Sequence, residues 1–265
     1  MIHPWLAMAA AVALAAPDQQ LLEASRALEA GRLDQAKTMI AKAVALKAPA
    51  AAVDRLLAEL AFRDGRTSEA LQRYLVLLQA SPTNSLYAER ATIAALKLGD
   101  VARAADLARR ATGSPAASWR AWNALGVVAD LQNDWLAADA AYRRASSLAP
   151  DRPELLNNRA WSLMLRGGWH LALPLLERAA VLDSQSARTR HNLELLRVAL
   201  AEDLPQRRPG ESDQDYAARL NDAGVMAQIQ GASARAVAAF TRAIETRGQW
   251  YGRAAQNLDL AQQKP

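Results

Sequence analysis

The chain has 265 residues, of which 51% are hydrophobic and 22% charged, as is ordinary for a globular protein. It has no cysteine, which excludes disulfides, thiolate metal sites and a cysteine nucleophile, and we expect no lipid anchor. Aromatic residues make up only 5% and alanine is abundant, which disfavours a β-sandwich and favours helices. The net charge is +5, and residues of both signs are interspersed along the chain without a basic stripe. We therefore expect no nucleic-acid partner.

The first segment is an apolar run, LAMAAAVALAA, from Leu6 to Ala16. It is shorter than the roughly 20 residues that cross a bilayer, so we expect no transmembrane helix here. It is typical of the apolar part of a signal peptide, with an A-x-A site at Ala13–Ala15 just before Pro17. We predict a signal peptide over residues 1–16 and a periplasmic location. If the run instead begins the first helix, the protein is cytoplasmic.

An internal repeat of 34 residues follows the apolar run. Its units start at Pro17, Ala51, Ser85, Trp119 and Pro153. Position 15 of each unit is a residue type that takes the left-handed conformation at the end of a helix: Gly31, Gly65, Gly99, Asn133 and Gly167. Positions 20 and 27 are alanine in every unit except for Leu77, and such small side chains allow helices to approach closely. We predict two helices per unit, stacked to form a continuous core.

The fourth unit resembles the tetratricopeptide repeat. It has the expected residue type at all eight signature positions, 4, 7, 8, 11, 20, 24, 27 and 32: Trp122, Leu125, Gly126, Ala129, Ala138, Tyr142, Ala145 and Pro150. This resemblance implies an all-α fold, a right-handed α-solenoid of helix-turn-helix repeats. It also implies a protein that binds a protein or peptide partner in a concave groove.

The repeat register changes after the fifth unit. Residues 187–201 predict the first helix of a sixth repeat, whereas the next segment, LPQRRPGESD, contains two prolines and a glycine that disfavour a helix. A further unit restarts at Ala217 and a capping helix follows over 250–263. The predicted organisation is a signal peptide (1–16), five repeats plus the first helix of a sixth (17–201), a linker loop (202–214), and a C-terminal repeat with its capping helix (215–265).

A candidate binding site follows from the positions that face the groove in this family, 2, 5, 6, 9, 12 and 13. In repeats four to six we select Asn123, Val127, Asp130, Asn157, Asn158, Trp161, Met164, Arg188 and Asn192. Asparagine amides both donate and accept, which suits a peptide backbone, and Trp161 would form the wall of an anchor pocket. Alternatively, Asn157 and Asn158 bond to neighbouring helices and Trp161 fills a gap between repeats.

The groove positions of repeats two to four differ from the carboxylate clamp of chaperone-binding members of this family. They include Arg55, Glu59 and Arg90, and a glutamate in the clamp would repel a carboxylate. The sequence has three histidines and no HExxH, GxxxxGK, GxGxxG or GxSxG motif. We therefore expect no enzyme activity, no metal site and no cofactor.

The overall layout resembles the TadD-type proteins, which are tetratricopeptide components of the tight-adherence (Flp) pilus assembly system. The resemblance lies in the export signal, the five repeats in register and the NL-x-L pattern that starts at Asn192. It implies a periplasmic or outer-membrane-associated assembly factor whose partners include pilus secretion components. Two alternatives remain: a general scaffold for assembly of the cell envelope, or a cytoplasmic peptide-binding adaptor.

Overall fold

A computed structural model describes residues 16–200, 204–247 and 251–263 of the chain. Within these ranges the regular secondary structure consists of 14 α-helices, which confirms the predicted all-α repeat fold. Residues 1–15 of the predicted signal peptide lie outside the described residues. None of the described helices is both long enough and apolar enough to cross a membrane.

The chain forms two compact units, which divide between Val128 and Ala129. The helices that begin in unit 1 are α1 (Ala16–Glu29), α2 (Leu33–Ala45), α3 (Ala50–Arg63), α4 (Thr67–Ala80), α5 (Ser85–Lys97), α6 (Val101–Thr112) and α7 (Trp119–Leu131). Those that begin in unit 2 are α8 (Trp135–Leu148), α9 (Pro153–Leu165), α10 (Trp169–Leu182), α11 (Ala187–Leu200), α12 (Asp213–Ile229), α13 (Ser233–Arg247) and α14 (Gly252–Gln263).

The helix starts follow the 34-residue period that the sequence predicts. The second helices of the five repeats begin 34 residues apart, at Leu33, Thr67, Val101, Trp135 and Trp169. The position-15 residue before each of them has a positive φ, from 58° at Asn133 to 79° at Gly167. The predicted left-handed conformation is therefore confirmed in all five repeats. It ends the first helix and reverses the chain into the second.

The alanines at positions 20 and 27 are buried, as expected for residues at which helices approach closely. Fully buried members are Ala36, Ala43, Ala70, Ala104, Ala111, Ala138, Ala145, Ala172 and Ala179. Leu77, the exception at position 27, packs half-buried against the core of unit 1. The bulk of each core comes instead from leucines and from large side chains at position 24, such as Tyr74 in unit 1 and Tyr142 in unit 2.

The sixth repeat has a first helix, α11, and no second helix among the residues that the structure describes. Residues 204–212 are not helical, and α12 begins at Asp213, four residues before the repeat that the sequence places at Ala217. The helix starts early because the Ser212 hydroxyl accepts the Asp215 backbone N–H, and because Asp213 and Asp215 suit the positive end of the helix dipole.

Candidate functional site

The predicted site residues are divided between the two units. Asn123 and Val127 lie half-buried on α7 in unit 1, whereas Asp130 and the six remaining residues lie in unit 2. Of the residues in unit 2, Trp161, Asn158 and Arg188 have accessible side chains, and Trp161 is 36% exposed.

Asp130 is buried at 8% exposure and binds two hydroxyl groups. Its carboxylate accepts hydrogen bonds from the Tyr142 Oη at 2.7 Å and from the Ser162 Oγ at 2.6 Å. Burial raises the pKa of the Asp130 carboxyl, although the bonds from Ser162 and Tyr142 act to lower it. These bonds connect the end of α7 with α8 and α9, which gives Asp130 a role in joining helices.

Asn157 and Asn192 bind each other across neighbouring first helices. The Asn192 Nδ2 donates to the Asn157 Oδ1 at 2.9 Å, and the two residues are 8% and 3% exposed, respectively. Asn157 thus bonds to a neighbouring helix, as in our alternative interpretation, in which its amide is not available to a peptide. The same bond recurs further along the chain, where the Asn257 Nδ2 donates to the Asn221 Oδ1 at 3.0 Å.

Met164 lies in the core of unit 2 and not on its surface. Its side chain is 1% exposed and belongs to a buried cluster with Leu176, Leu193 and Leu196. Position 12 of α9 therefore faces α10 and α11, which leaves the thioether no surface to offer a ligand.

A pocket of about 190 Å³ lies in unit 1, at groove positions of repeats one to three. Its lining includes Ser25, Leu28, Arg55, Glu59, Leu86 and Arg90. These residues occupy positions 9, 12, 5, 9, 2 and 6, which belong to the set that we applied to repeats four to six. We call it the repeat pocket. The same groove positions therefore predict this pocket when they are taken from repeats one to three, whereas our predicted site takes them from repeats four to six.

Glu59 is at the centre of the charge network in the repeat pocket. Its carboxylate accepts from the Arg63 Nε at 2.6 Å, the Tyr74 Oη at 2.7 Å and the Arg90 Nε at 3.2 Å. Burial acts to raise the pKa of Glu59, but Arg90, Tyr74 and Arg63 together outweigh it and hold the pKa below its usual value. The negative charge of Glu59 is therefore compensated by two guanidinium groups.

Arg90 is held on three sides. It donates to Glu59, it donates through a second nitrogen to the buried Glu89 at 3.2 Å, and its guanidinium lies 4.8 Å from the ring centre of Phe62. Arg55 is exposed at the rim, and Leu86 leaves 50% of its surface exposed. The pocket thus offers a cation and an aliphatic surface next to a rigid ion-pair network. Among the described residues, no group of three His, Asp or Glu side chains could hold a metal ion.

Comparison with known proteins supports the repeat assignment. Residues 21–85 and 93–153 match a family model described as tetratricopeptide repeat. These two segments contain tetratricopeptide repeats. No curated protein sequence matches it significantly.

Solved structures with the same fold are distant in sequence. A tetratricopeptide repeat protein from Parabacteroides merdae has 15% identity and a TM-score of 0.55, covering 93% of this chain and 99% of its own. A thermophilic protein of the same kind from Thermus thermophilus has 18% identity and a TM-score of 0.57, covering 69% and 100%. pilF from Pseudomonas aeruginosa has 14% identity and a TM-score of 0.53, covering 94% and 98%. At these identities the likeness shows the fold alone.

Proposed function

We propose that the chain is a non-enzymatic scaffold that binds a segment of a partner protein in the repeat pocket. Tetratricopeptide repeats generally mediate protein–protein interaction. The observation that carries the proposal is the pocket itself, which three consecutive first helices line at their groove positions. Its volume of about 190 Å³ is sufficient for a few side chains of a polypeptide.

The charges of the repeat pocket favour a segment with both an acidic and an aliphatic side chain. Arg55 at the rim offers an exposed guanidinium, and the exposed part of Leu86 offers apolar contact. Glu59 does not oppose an acidic group strongly, because Arg63 and Arg90 already bind its carboxylate. An arginine at an aliphatic surface is the kind of anchor that dominates many interfaces.

A phage-displayed library of random peptides tests this proposal. Peptides are selected on the unmodified chain and then measured against a variant with Arg55→Glu and Leu86→Asp. The matched control has Arg32→Glu and Leu46→Asp, a pair that is also exposed and lies at either end of α2. We expect the pocket variant to lose binding and the control to keep it. Equal binding to all three proteins would refute the proposal.

Trp161, Asn158 and Arg188 form a second candidate contact surface, in unit 2. Trp161 is 36% exposed and lies at position 9 of α9, a groove position. We expect Trp161→Ala to weaken partner binding and to leave the far-UV circular dichroism spectrum nearly unchanged. Loss of the helical spectrum would show that Trp161 is needed for folding instead.

We further propose that the protein is an exported assembly factor of the Flp pilus machinery. Support comes from the layout of the sequence, in which an apolar N-terminal run precedes the repeats and the NL-x-L pattern lies on α11. A reporter that is active only in the periplasm, fused after Pro265, tests the export: absence of reporter activity would favour the cytoplasmic adaptor. Co-purification with the pilus secretion components separates a pilus role from a general role in envelope assembly.

A further inference from the structure

Between α11 and α12 the described residues, 204–212, form no second helix for the sixth repeat. At position 5 of α9, Asn157 binds Asn192 at position 6 of α11, and this bond joins consecutive first helices. At position 5 of α11, the His191 Nε2 lies 3.7 Å from the Asp222 Oδ2, at position 6 of α12. The two pairs have the same register. Helix α12 therefore stacks on α11 as the next first helix, although the described residues between them form no second helix.

A cavity of about 810 Å³ lies between α11, the loop residues 204–208 and Arg219 of α12, and we call it the repeat-six cavity. Helix α11 contributes Arg190, Leu193, Glu194 and Arg197, at positions 4, 7, 8 and 11. The same positions in α12 include Gly224, which is buried against the ring of Phe240 on the second helix α13. The cavity thus lies on the face that a second helix covers in a complete repeat.

The face of α11 at the cavity has long charged side chains where other first helices have small ones. Position 8 is Glu194 and position 11 is Arg197, whereas in α12 these positions are Gly224 and Ala227. Close packing of an apolar helix, as in a complete repeat, is therefore unfavourable here. The apolar part of the lining is limited to residues such as Leu193 and Val198.

Two of the acidic groups near the cavity, Glu194 in its lining and Glu211 beside it, are bound by arginines. The Glu194 carboxylate accepts from Arg208 and from the Arg219 Nε, the latter at 2.7 Å. The Glu211 carboxylate accepts from the Arg219 Nη1 at 2.9 Å. Burial acts to raise the pKa of Glu194, but Arg208 and Arg219 outweigh it and lower the pKa. Both carboxylates thus remain ionised and paired.

Two further arginines line the cavity with weaker attachments. The Arg190 Nη1 donates to the Ser184 carbonyl oxygen at 3.1 Å, and no carboxylate of the described part of the chain forms an ion pair with it. The Arg197 Nη2 lies 3.6 Å from the Glu177 carboxylate, and both side chains are at least half exposed, so this pair contributes little. Among the described residues that line the cavity, positive charge is therefore in excess.

We propose that the repeat-six cavity binds an acidic segment of a partner polypeptide, which lies along α11 where a second helix is missing. The volume of about 810 Å³ is sufficient for several side chains, and the lining pairs an excess of arginine with an aliphatic floor. Acidic groups of the segment would contact Arg190 and Arg197, and an aliphatic side chain would contact Leu193. This site is separate from the repeat pocket and does not depend on the function proposed for it.

Fluorescence anisotropy with synthetic peptides tests the proposal on the full chain. The probe is a labelled peptide of about 12 residues, or about three helical turns, that repeats Glu-Leu-Ala-Glu. The same peptide with glutamine in place of glutamate is the neutral comparison. The cavity variant has Arg190→Glu and Arg197→Glu, and the control has Arg143→Glu and Arg144→Glu on α8. All four arginines are exposed, and each pair changes the net charge equally.

We expect saturable binding of the acidic peptide, weakened about tenfold or more by the cavity variant and less than about twofold by the control. The neutral peptide should bind weakly, and added salt should weaken the acidic peptide. Equal weakening in both variants would show that binding follows net charge and would overturn the proposal. Absence of binding would also overturn the proposal. A loss of binding in the Arg55→Glu and Leu86→Asp variant would overturn it as well, because it would place the peptide in the repeat pocket.

Discussion

At the residue scale, a tyrosine at position 24 donates to a carboxylate of a first helix in each unit. Tyr74 binds Glu59 in unit 1 and Tyr142 binds Asp130 in unit 2, both at 2.7 Å. Burial and the adjacent carboxylate raise the pKa of both tyrosines, so both remain donors. The carboxylates differ: arginines lower the pKa of Glu59, whereas burial raises that of Asp130. Their effects on stability therefore have opposite pH dependence.

The pH dependence of Glu59 gives the first prediction. Because its pKa is lower in the folded chain, its contribution to stability is present above the ordinary value of 4.5 and is lost as the pH falls through the folded value. We expect Glu59→Gln to lower the free energy of unfolding near neutral pH, with a difference from wild type that shrinks below about pH 4. Urea denaturation at several pH values measures this. A difference that does not change with pH would contradict the assignment.

The Tyr142 hydroxyl gives the second prediction. Tyr142→Phe removes a donor and leaves Asp130 with one hydroxyl partner, Ser162, in a buried environment. We expect a loss of about 1–2 kcal/mol in the free energy of unfolding, measured by urea denaturation. The control is Tyr87→Phe, because the Tyr87 hydroxyl makes no hydrogen bond within the described part of the chain and this change should cost less. Equal costs would argue against a specific role for the buried bond.

At the element scale, the repeat period predicts the positions of the helices well, because backbone conformation and close packing leave a clear pattern. Gly or Asn at position 15 and alanine at positions 20 and 27 each have a local physical reason. The start of α12 could not be placed as well, since the Ser212 cap lies inside a segment that resembles a loop. The site residues were harder to predict than the helices. The 34-residue period does not specify whether the Asn157 side chain is exposed in the groove or bonded to Asn192, because that depends on its side-chain partners.

Packing of the second helices gives the third prediction. Ala236, at position 20 of the last repeat, is fully buried in a cluster with Ala227, Phe240 and Ala261. We expect Ala236→Leu to lower the free energy of unfolding by about 1–3 kcal/mol, because the larger side chain forces the helices apart. Ala238→Leu on the same helix is the control, since Ala238 is exposed and the change should have little effect. Thermal denaturation of the two variants decides whether position 20 is a spacer.

At the scale of the whole molecule, stability in a repeat protein is approximately the sum of contributions from repeats and from their nearest neighbours. A repeat that lacks one helix is therefore a weak point for the helices on either side of it. In unit 2, α9 packs with its own second helix α10, and α12 packs with α13, whereas α11 packs with α10 of the preceding repeat and also lines the repeat-six cavity. The free energy of local opening should be lowest at this helix.

Hydrogen exchange gives the last prediction. We expect the amides of α11 to exchange faster than those of α9 and α12, because part of α11 has no second helix to exclude water. Exchange followed by mass spectrometry on peptides from the three helices measures the difference. Adding the acidic peptide should slow exchange in α11 selectively, because a ligand that binds the folded form stabilises the element it covers. Equal protection of α11 and α9 would show that the loop over 204–212 replaces the missing helix energetically. The cavity would then be a surface depression, and α11 would not require a bound partner for its stability.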